Sequence, residues 1–186
     1  MSFAANTGFL KGDFLMSTIL CILGFIVLGT MANNSYMQLS DQSICLILGN
    51  PKTLTFHSSA CSFTIAVGFM IAAGGVGLFV MDYVTWKRSE RFKGKRASIA
   101  ALLIAPILSF FAFSTAIVIG VGIKDFCNNY EVLGTIRQDR CHSEMKNFSG
   151  LQTGVGASTV AGFVSAFYAF SEYLQYRKRH INGDKW

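Results

Sequence analysis

The sequence predicts an all-α integral membrane protein, built as a bundle of four transmembrane helices. Three observations lead to this prediction: few charged residues, a high mean hydropathy and four long runs without charge. Charged residues make up 14% of the chain, against about a quarter in a soluble domain. The mean hydropathy is +0.43. Charges are absent from residues 14–32, 62–81, 97–123 and 151–171.

The four uncharged runs have 19 to 27 residues each. At 1.5 Å per residue, this is enough to cross a hydrocarbon core about 30 Å thick. One such run could be a buried core helix, but four in a chain of 186 residues leave too little polar surface to cover them in water. We therefore predict one transmembrane domain over residues 1–186, with spans at about 14–32, 62–86, 97–123 and 151–176.

The first run has a rival interpretation as a cleaved signal peptide. Lys11 would be its positive flank, and Thr30-Met31-Ala32 resembles a cleavage site of small residues. Because the run of 19 residues exceeds the usual signal core of about 7–15, a retained span is the favoured interpretation.

The basic residues predict which side of the membrane each loop faces. If both termini and the loop between the second and third spans share a side, that side carries eleven of the sixteen Lys and Arg residues and five of the ten acids. The other side then carries five of each, so the formal net charge of +6 lies on one face. Because Lys and Arg concentrate in short cytoplasmic loops, we expect the N- and C-termini to be cytoplasmic.

The densest positive charge is the segment TWKRSERFKGKRAS at residues 85–98. A nucleic-acid site is the weaker interpretation, because the segment contains no recognisable binding module and is confined to a short loop between helices. We expect it instead to contact anionic lipid headgroups, each basic residue contributing about 1 kcal/mol. The residues concerned are Lys87, Arg88, Arg91, Lys93, Lys95 and Arg96.

Cysteines and glycosylation sequons agree with this orientation. Four of the five cysteines lie in the two loops assigned to the outside, namely Cys45, Cys61, Cys127 and Cys141. Since disulfides persist in the oxidising lumen and at the cell exterior, we predict that they brace these two extracellular or lumenal loops. The Asn-x-Ser sequons at Asn33 and Asn147 lie on the same side and are candidate glycosylation sites.

Four cysteines permit three pairings, and the sequence leaves the choice open. Pairing within each loop, Cys45 with Cys61 and Cys127 with Cys141, is favoured by proximity along the chain. Pairing between the loops would instead tie helix ends together. A metal site is disfavoured, because the spacing contains no Cys-x-x-Cys motif and the histidines are isolated, and no cofactor is predicted.

Small residues recur at helical spacing in the second, third and fourth spans. Close backbone contact between small residues is important there, because water cannot drive helices together inside a bilayer. We expect these residues to pack helices within the bundle or, alternatively, to bind a partner's helix. The candidates are Gly68 and Ala72 in the second span and Gly154, Ser158, Gly162 and Ala166 in the fourth.

Asp82 and Glu172 are the carboxyl groups nearest to the membrane interior. A membrane-embedded acid is a functional candidate by default, here as part of an ion or proton pathway. Both residues lie within about two turns of basic clusters at 87–88 and 177–179, so ion pairing at the membrane interface is the favoured interpretation. An aromatic belt at the same depth is predicted from Tyr83, Trp86, Tyr168, Tyr173 and Tyr176.

The outer loops carry the most particular pattern, with SICLILG at 43–49, ACSF at 60–63, FCNNY at 126–130 and RCHSE at 140–144. This pattern resembles the transmembrane-protein-179 family, including its B-type branch, and the resemblance covers most of the chain. Members of that family have four spans, a cysteine in the first outer loop, one at the start of the second span and a pair in the second outer loop. The layout is also similar to MARVEL-type tetraspans such as synaptogyrin and synaptophysin, which implies vesicle trafficking, membrane apposition or association with larger membrane complexes. Neither resemblance implies a catalytic residue.

These observations favour a non-enzymatic tetraspan protein that acts as an accessory subunit or organiser and binds other membrane proteins or lipids. The expected partner is a larger channel, pump or receptor, in the plasma membrane or in secretory or endosomal vesicles, and homo-oligomerisation stays open. A small oligomeric channel or transporter using Asp82 and Glu172 is the alternative, although no span carries a charge at mid-depth. An enzyme is disfavoured, because all three histidines lie outside the spans and no intramembrane Cys-x-x-Cys motif appears.

Overall fold

A computed structural model describes residues 3–34, 36–39, 42–45, 58–87, 95–130 and 148–182. Four helices dominate them: α1 (Phe3–Asn34), α2 (Ser58–Lys87), α3 (Lys95–Tyr130) and α4 (Phe148–Asn182). A short antiparallel hairpin follows α1 and consists of β1 (Tyr36–Leu39) and β2 (Gln42–Cys45), with Tyr36 opposite Cys45. No hairpin is predicted from the sequence, because strands of four residues are too short for an alternating pattern to stand out.

Each helix contains a stretch long and apolar enough to cross a membrane: Gly12–Asn33, Ala60–Lys87, Arg96–Lys124 and Ser149–Lys178. The predicted spans at 14–32, 62–86, 97–123 and 151–176 lie inside these stretches, so the prediction of four helices long and apolar enough to span a membrane is confirmed. Helices are the expected form for these stretches, because a segment in lipid must satisfy its backbone hydrogen bonds within itself.

The four helices form a ring of neighbours in the order α2, α1, α4 and α3. Helix α1 packs extensively against both α2 and α4, and α4 also packs extensively against α3. A smaller contact between α2 and α3 closes the ring. Helices α2 and α4 therefore face each other along one diagonal of the bundle, and α1 and α3 along the other.

The buried positions of each helix alternate in steps of three and four residues. In α1 they are Asp13, Ser17, Leu20, Gly24, Val27 and Met31. In α4 they include Leu151, Gly154, Ser158, Ala161, Ser165, Tyr168 and Glu172. This alternation averages 3.5 residues per turn, which keeps one narrow seam of each helix facing its neighbours, as in left-handed bundles.

Helices α1 and α2 approach closely because small residues stand where their backbones meet. A Cβ atom placed on Gly24 would lie 2.6 Å from the Cα atom of Ala72. One placed on Gly75 would lie 2.9 Å from the Cα atom of Cys21. These separations leave no room for a side chain, so glycine is required for this contact, and the close approach gives van der Waals contact that lipid cannot replace.

Two adjoining apolar clusters fill the bundle, and all four helices contribute to each. The outer cluster lies toward the hairpin end and includes Val27, Cys61, Ile119 and Leu151. The inner cluster lies toward the opposite end and includes Leu20, Ile71, Leu108 and Ala161. Leu23 packs against both. Large apolar side chains also cover the outside of all four helices, as is expected of a bundle surrounded by lipid.

Candidate functional site

Three carboxylic acids from three helices come together at the end of the bundle opposite the hairpin. Asp13 belongs to α1, Asp82 to α2 and Glu172 to α4, and each side chain is at most 2% exposed. All three carboxyl groups interact electrostatically with Tyr168, the largest of the fully buried side chains described in the bundle. We call these four residues the carboxyl cluster.

Tyr168 connects two helices that face each other across the bundle. Its hydroxyl donates to both carboxylate oxygens of Asp82, at 3.0 Å to Oδ1 and 3.1 Å to Oδ2. Sharing one hydrogen between two acceptors accounts for distances slightly longer than the usual O–H···O bond. A buried hydroxyl and a buried carboxyl are each costly without a partner, so their hydrogen bond compensates both.

The remaining hydrogen bonds of the cluster bring in α3 and tie α1 to α4. Ser98 of α3 donates from Oγ to Oε2 of Glu172 at 3.2 Å, and both side chains are fully buried. Asp13 accepts at Oδ1 from Ser171 Oγ at 2.8 Å and at Oδ2 from Gln175 Nε2. Ser171 and Gln175 are one turn apart on α4, so both can face the same carboxyl. All four helices therefore contribute hydrogen-bonding side chains to this end of the bundle.

The carboxyl cluster can hold protons and fix helix ends against one another. Burying an ionised carboxyl is costly unless hydrogen bonds or opposite charges compensate it, so acids embedded in a membrane bundle are usually tied to a function. Within the described parts of the four helices, no group of three or more His, Cys, Asp or Glu side chains is arranged to hold a metal ion.

The structure gives Asp82, Glu172 and Tyr168 an orientation that the sequence interpretation leaves open. That interpretation places all three at the depth of the membrane interface and pairs the acids with bases, and this pairing stays a prediction. The structure buries the three side chains inside the bundle. The reason is their position on the helix seams, since each falls on the alternation of three- and four-residue steps that faces the core. The small residues predicted in α4 are spaced by four residues, and four residues turn a helix about 40° beyond one full turn. The face that they form therefore rotates away from the core, and Ala166, its last residue, is exposed.

Asp13 belongs to the site but is not singled out from the sequence. Its partners Ser171 and Gln175 stand 158 and 162 positions away, so no local pattern connects them to it. The available signal was the seam of α1, because Asp13 precedes Ser17, Leu20 and Gly24 in the same alternation of steps. Extending an apolar seam until it reaches a charge would have found this carboxyl.

The small residues predicted at helix contacts lie mostly inside the bundle. Gly68 and Ala72 face α1, and Gly154 and Gly162 face Met31 and Phe113 respectively. Ser158 is fully buried. Their contacts with described residues are intramolecular, and a role in binding a partner's helix stays a prediction.

Of the cysteines predicted to form disulfides, Cys61 lies in α2, is fully buried and is disulfide-bonded. Its partner lies outside the side chains that the structure describes. The side chains of Cys45 and Cys127 also lie outside that set, and Cys141 falls outside the described residues altogether. The described residues thus contain no complete disulfide pair, and the pairing stays a prediction. Cys21 in α1 is a half-buried free thiol.

The residues predicted to contact anionic lipid flank the loop between α2 and α3. Lys87 ends α2 and Arg96 lies in the first turn of α3, and both side chains are exposed. The side chains of Arg88, Arg91, Lys93 and Lys95 lie outside the described set. Of the two predicted glycosylation sites, Asn33 is exposed near the end of α1, and Asn147 falls outside the described residues.

Three buried hydroxyls have no hydrogen-bond partner among the described residues, those of Thr115, Ser158 and Ser165. Several other hydroxyls in these helices donate to the carbonyl three or four residues earlier, as Thr18 does to Phe14. Unpartnered buried hydroxyls are uncommon, because each loses its hydrogen bonds to water without a replacement. These three therefore differ from buried hydroxyls such as those of Thr64 and Ser109, which donate to backbone carbonyls.

No family model matches this chain, and no curated protein or solved structure is significantly similar to it. Its function is therefore inferred from the bundle, the carboxyl cluster and the concentration of basic residues on one side.

Proposed function

We propose that this chain is a non-enzymatic tetraspan membrane protein that serves as an accessory subunit or organiser and binds other membrane proteins or lipids. The apolar filling of the bundle is the observation that supports this most strongly. The outer and inner clusters each take side chains from all four helices, between the carboxyl cluster and the hairpin end. Conduction or transport needs polar groups along a pathway through the bundle. The outer surface of the bundle is therefore the better candidate for the functional region, as a surface that binds other membrane proteins or lipids.

The outside of the bundle offers apolar contact area on every helix. Leu15, Phe69, Phe110 and Phe167, one from each helix, are 61% to 67% exposed. Lipid acyl chains cover such a surface in a monomer. A partner's transmembrane helix can replace lipid wherever its shape gives better packing, because association in a bilayer depends on packing and hydrogen bonds.

Co-purification tests the proposal directly. The full chain, tagged at its C-terminus, is crosslinked in native membranes, extracted in mild detergent and analysed by quantitative mass spectrometry. We expect one larger membrane protein in roughly stoichiometric amount. Alanine is substituted at Leu15, Phe69, Phe110 and Phe167, one position at a time. We expect recovery of the partner to fall only for a substitution on one helix or on two neighbouring helices. The remaining variants then serve as matched controls.

One outcome would contradict this proposal. Recovery of the chain with no other protein would indicate self-assembly instead of an accessory role. Equal recovery of the partner from all four variants would keep the accessory role and assign the contact to the loops instead of these four surfaces.

A small oligomeric channel or transporter that uses Asp82 and Glu172 is the second candidate. The burial of both carboxyl groups inside the bundle favours it, because membrane-embedded acids commonly mark ion or proton pathways. The unpartnered hydroxyls of Thr115, Ser158 and Ser165 add polar atoms at other depths.

Flux measurements separate the two candidates. The purified chain is reconstituted into vesicles loaded with proton-sensitive or cation-sensitive dye. The accessory role predicts the background rate of empty vesicles. Flux that is abolished by Asp82→Asn or Glu172→Gln, and kept in Ser114→Ala, would favour the channel. Ser114 is a suitable control because its hydroxyl donates to the Phe110 carbonyl of its own helix.

The finer features of the proposal concern the loops, the orientation and the family. We propose that disulfides brace the outer loops, which the bonded state of Cys61 supports. The concentration of basic residues on one side supports cytoplasmic N- and C-termini. A place among the transmembrane-protein-179 or MARVEL-type tetraspans, in the plasma membrane or in secretory or endosomal vesicles, is proposed from the cysteine pattern of the outer loops.

A further inference from the structure

The end of the bundle that holds the carboxyl cluster turns its acids inward and its bases outward. The exposed charged side chains described at this end are Lys87, Arg96, Arg177 and Lys178. Asp13, Asp82 and Glu172 are at most 2% exposed. The described charge at the surface of this end is therefore entirely positive, which suits the anionic headgroups of a membrane leaflet.

Four aromatic rings lie together on α1 and α2 at the same end. The Phe14 ring centroid is 5.1 Å from that of Phe79 and 6.0 Å from that of Trp86. Tyr83 completes the set, with centroids 6.4 Å from Phe79 and 6.3 Å from Trp86. Because Tyr83 is 41% and Trp86 58% exposed, this set faces the outside of the bundle. We call it the aromatic face.

A cation stands at the edge of the aromatic face. Lys87 directly follows Trp86 in the last turn of α2, and its side chain is exposed. Tyr and Trp favour the boundary between acyl chains and headgroups, because one end of each ring system is apolar and the other polar. A phospholipid has the same order of parts, with its apolar chains toward the membrane centre and its charged headgroup at the membrane surface.

We propose that the aromatic face and Lys87 form a binding site for one anionic phospholipid of the leaflet at the basic end. The rings contact the upper part of the acyl chains, and the Lys87 ammonium contacts the negatively charged headgroup. A zwitterionic lipid offers the same chains without the net negative charge, so the site selects by headgroup. This site deepens the lipid-binding part of the proposed function and rests on it, but it requires no partner protein.

The fluorescence of Trp86 can show which lipid occupies this site. The chain contains two tryptophans, so a Trp186→Phe background leaves Trp86 as the single one. The full chain in this background is reconstituted into phosphatidylcholine vesicles that contain the same minor fraction of either brominated phosphatidylserine or brominated phosphatidylcholine. Bromine quenches tryptophan fluorescence on contact, so the two quenching curves give the relative affinity. We expect phosphatidylserine to associate about fivefold more strongly.

Two charge variants distinguish a localised binding site from electrostatic attraction by the whole basic end. Lys87→Ala is expected to bring the relative affinity close to one. Lys178→Ala is the matched control, because it removes an exposed charge at the end of α4, the helix diagonal to α2, and it is expected to keep the preference. Both substitutions are at exposed positions, and retained helix content by circular dichroism shows that each variant is folded.

Three results would overturn this inference. Equal quenching by the two lipids in the Trp186→Phe background would show that Trp86 does not select an anionic headgroup. An equal loss of preference in Lys87→Ala and Lys178→Ala would assign the selectivity to the whole basic end. Stronger quenching by a brominated sterol than by either phospholipid would assign the aromatic face to a sterol. None of these results would affect co-purification of a partner, so the two proposals fail independently.

Discussion

Tyr168 on α4 donates its hydroxyl hydrogen to both carboxylate oxygens of Asp82 on α2, at 3.0 and 3.1 Å. The two residues stand 86 positions apart, on helices that face each other across the bundle. Both side chains are at most 2% exposed, so lipid headgroups and water do not compete for the bond. Because α2 and α4 otherwise share little contact, this bond joins two helices that apolar packing alone holds together only weakly.

Removing the Tyr168 hydroxyl should destabilise the bundle. Hydrogen bonds between helices in a bilayer contribute about 0.6 kcal/mol on average and up to about 1.7 kcal/mol. We expect Tyr168→Phe to lower the free energy of unfolding by about 1–2 kcal/mol, because a buried carboxyl loses a donor. Unfolding by increasing fractions of sodium dodecyl sulfate in mixed micelles measures this change. Tyr173→Phe, on an exposed ring of the same helix, should change it by less than about 0.5 kcal/mol. Equal effects of the two substitutions would mean that the bond to Asp82 is not stabilising.

The contact between α1 and α2 should not tolerate a side chain at Gly24. A Cβ atom there would lie 2.6 Å from the Ala72 backbone, so the helices must separate. We expect Gly24→Val to cost about 1–3 kcal/mol or more, as overpacking does. Gly29→Ala is the control, because a Cβ on Gly29 meets nothing within 4 Å. Alanine also favours the helix over glycine by up to about 1 kcal/mol, so this control should keep or raise stability. Thermal unfolding in detergent checks both, and a tolerated valine would mean that the helices are further apart than described.

Two buried serines should respond to alanine with opposite signs. Ser109 donates to the Gly162 carbonyl at 2.9 Å, so Ser109→Ala should lower the free energy of unfolding by about 1 kcal/mol. Ser165 is fully buried without a partner among the described residues, so Ser165→Ala should raise it by about 1 kcal/mol. The same unfolding assay compares the two. A loss of stability in Ser165→Ala would indicate that its hydroxyl binds water or a ligand inside the bundle.

Protease protection tests the assigned sidedness. In sealed microsomes, whose outer surface is the cytoplasmic face, added trypsin should cut within the basic loop at Arg91 and remove a tag from either terminus. Arg137 and Arg140, in the loop assigned to the lumen, should be cut only after detergent is added. The reverse pattern, with Arg91 protected and Arg140 cut, would exclude the orientation inferred from the basic residues.

The number and position of the helices could be read from the sequence. Residues 14–32, 62–86, 97–123 and 151–176 lie inside the four spanning stretches of the structure. This success has a simple cause, since a helix in lipid satisfies its own backbone hydrogen bonds and needs only length and apolar side chains. Both properties are local, and composition alone reveals them.

The candidate site could be predicted only in part. Asp82 and Glu172 stand out as acids near the membrane, but their orientation depends on which face of each helix meets its neighbours. Tyr168 illustrates the difficulty, because an interfacial aromatic residue and a core tyrosine look alike in the sequence. The alternation of three and four residues, followed along α4 from Leu151 to Glu172, would have separated the two interpretations.

The sequence by itself determined that this protein has four helices long and apolar enough to span a membrane, because the cost of placing charge in lipid acts on each segment separately. Only the tertiary structure decided that Asp13, Asp82 and Glu172 meet around Tyr168 and that the bases remain outside. That decision depends on hydrogen bonds between residues 74 to 162 positions apart. Such contacts exist only once the helices have packed, since a single helix has no means of choosing which of its faces becomes the interior.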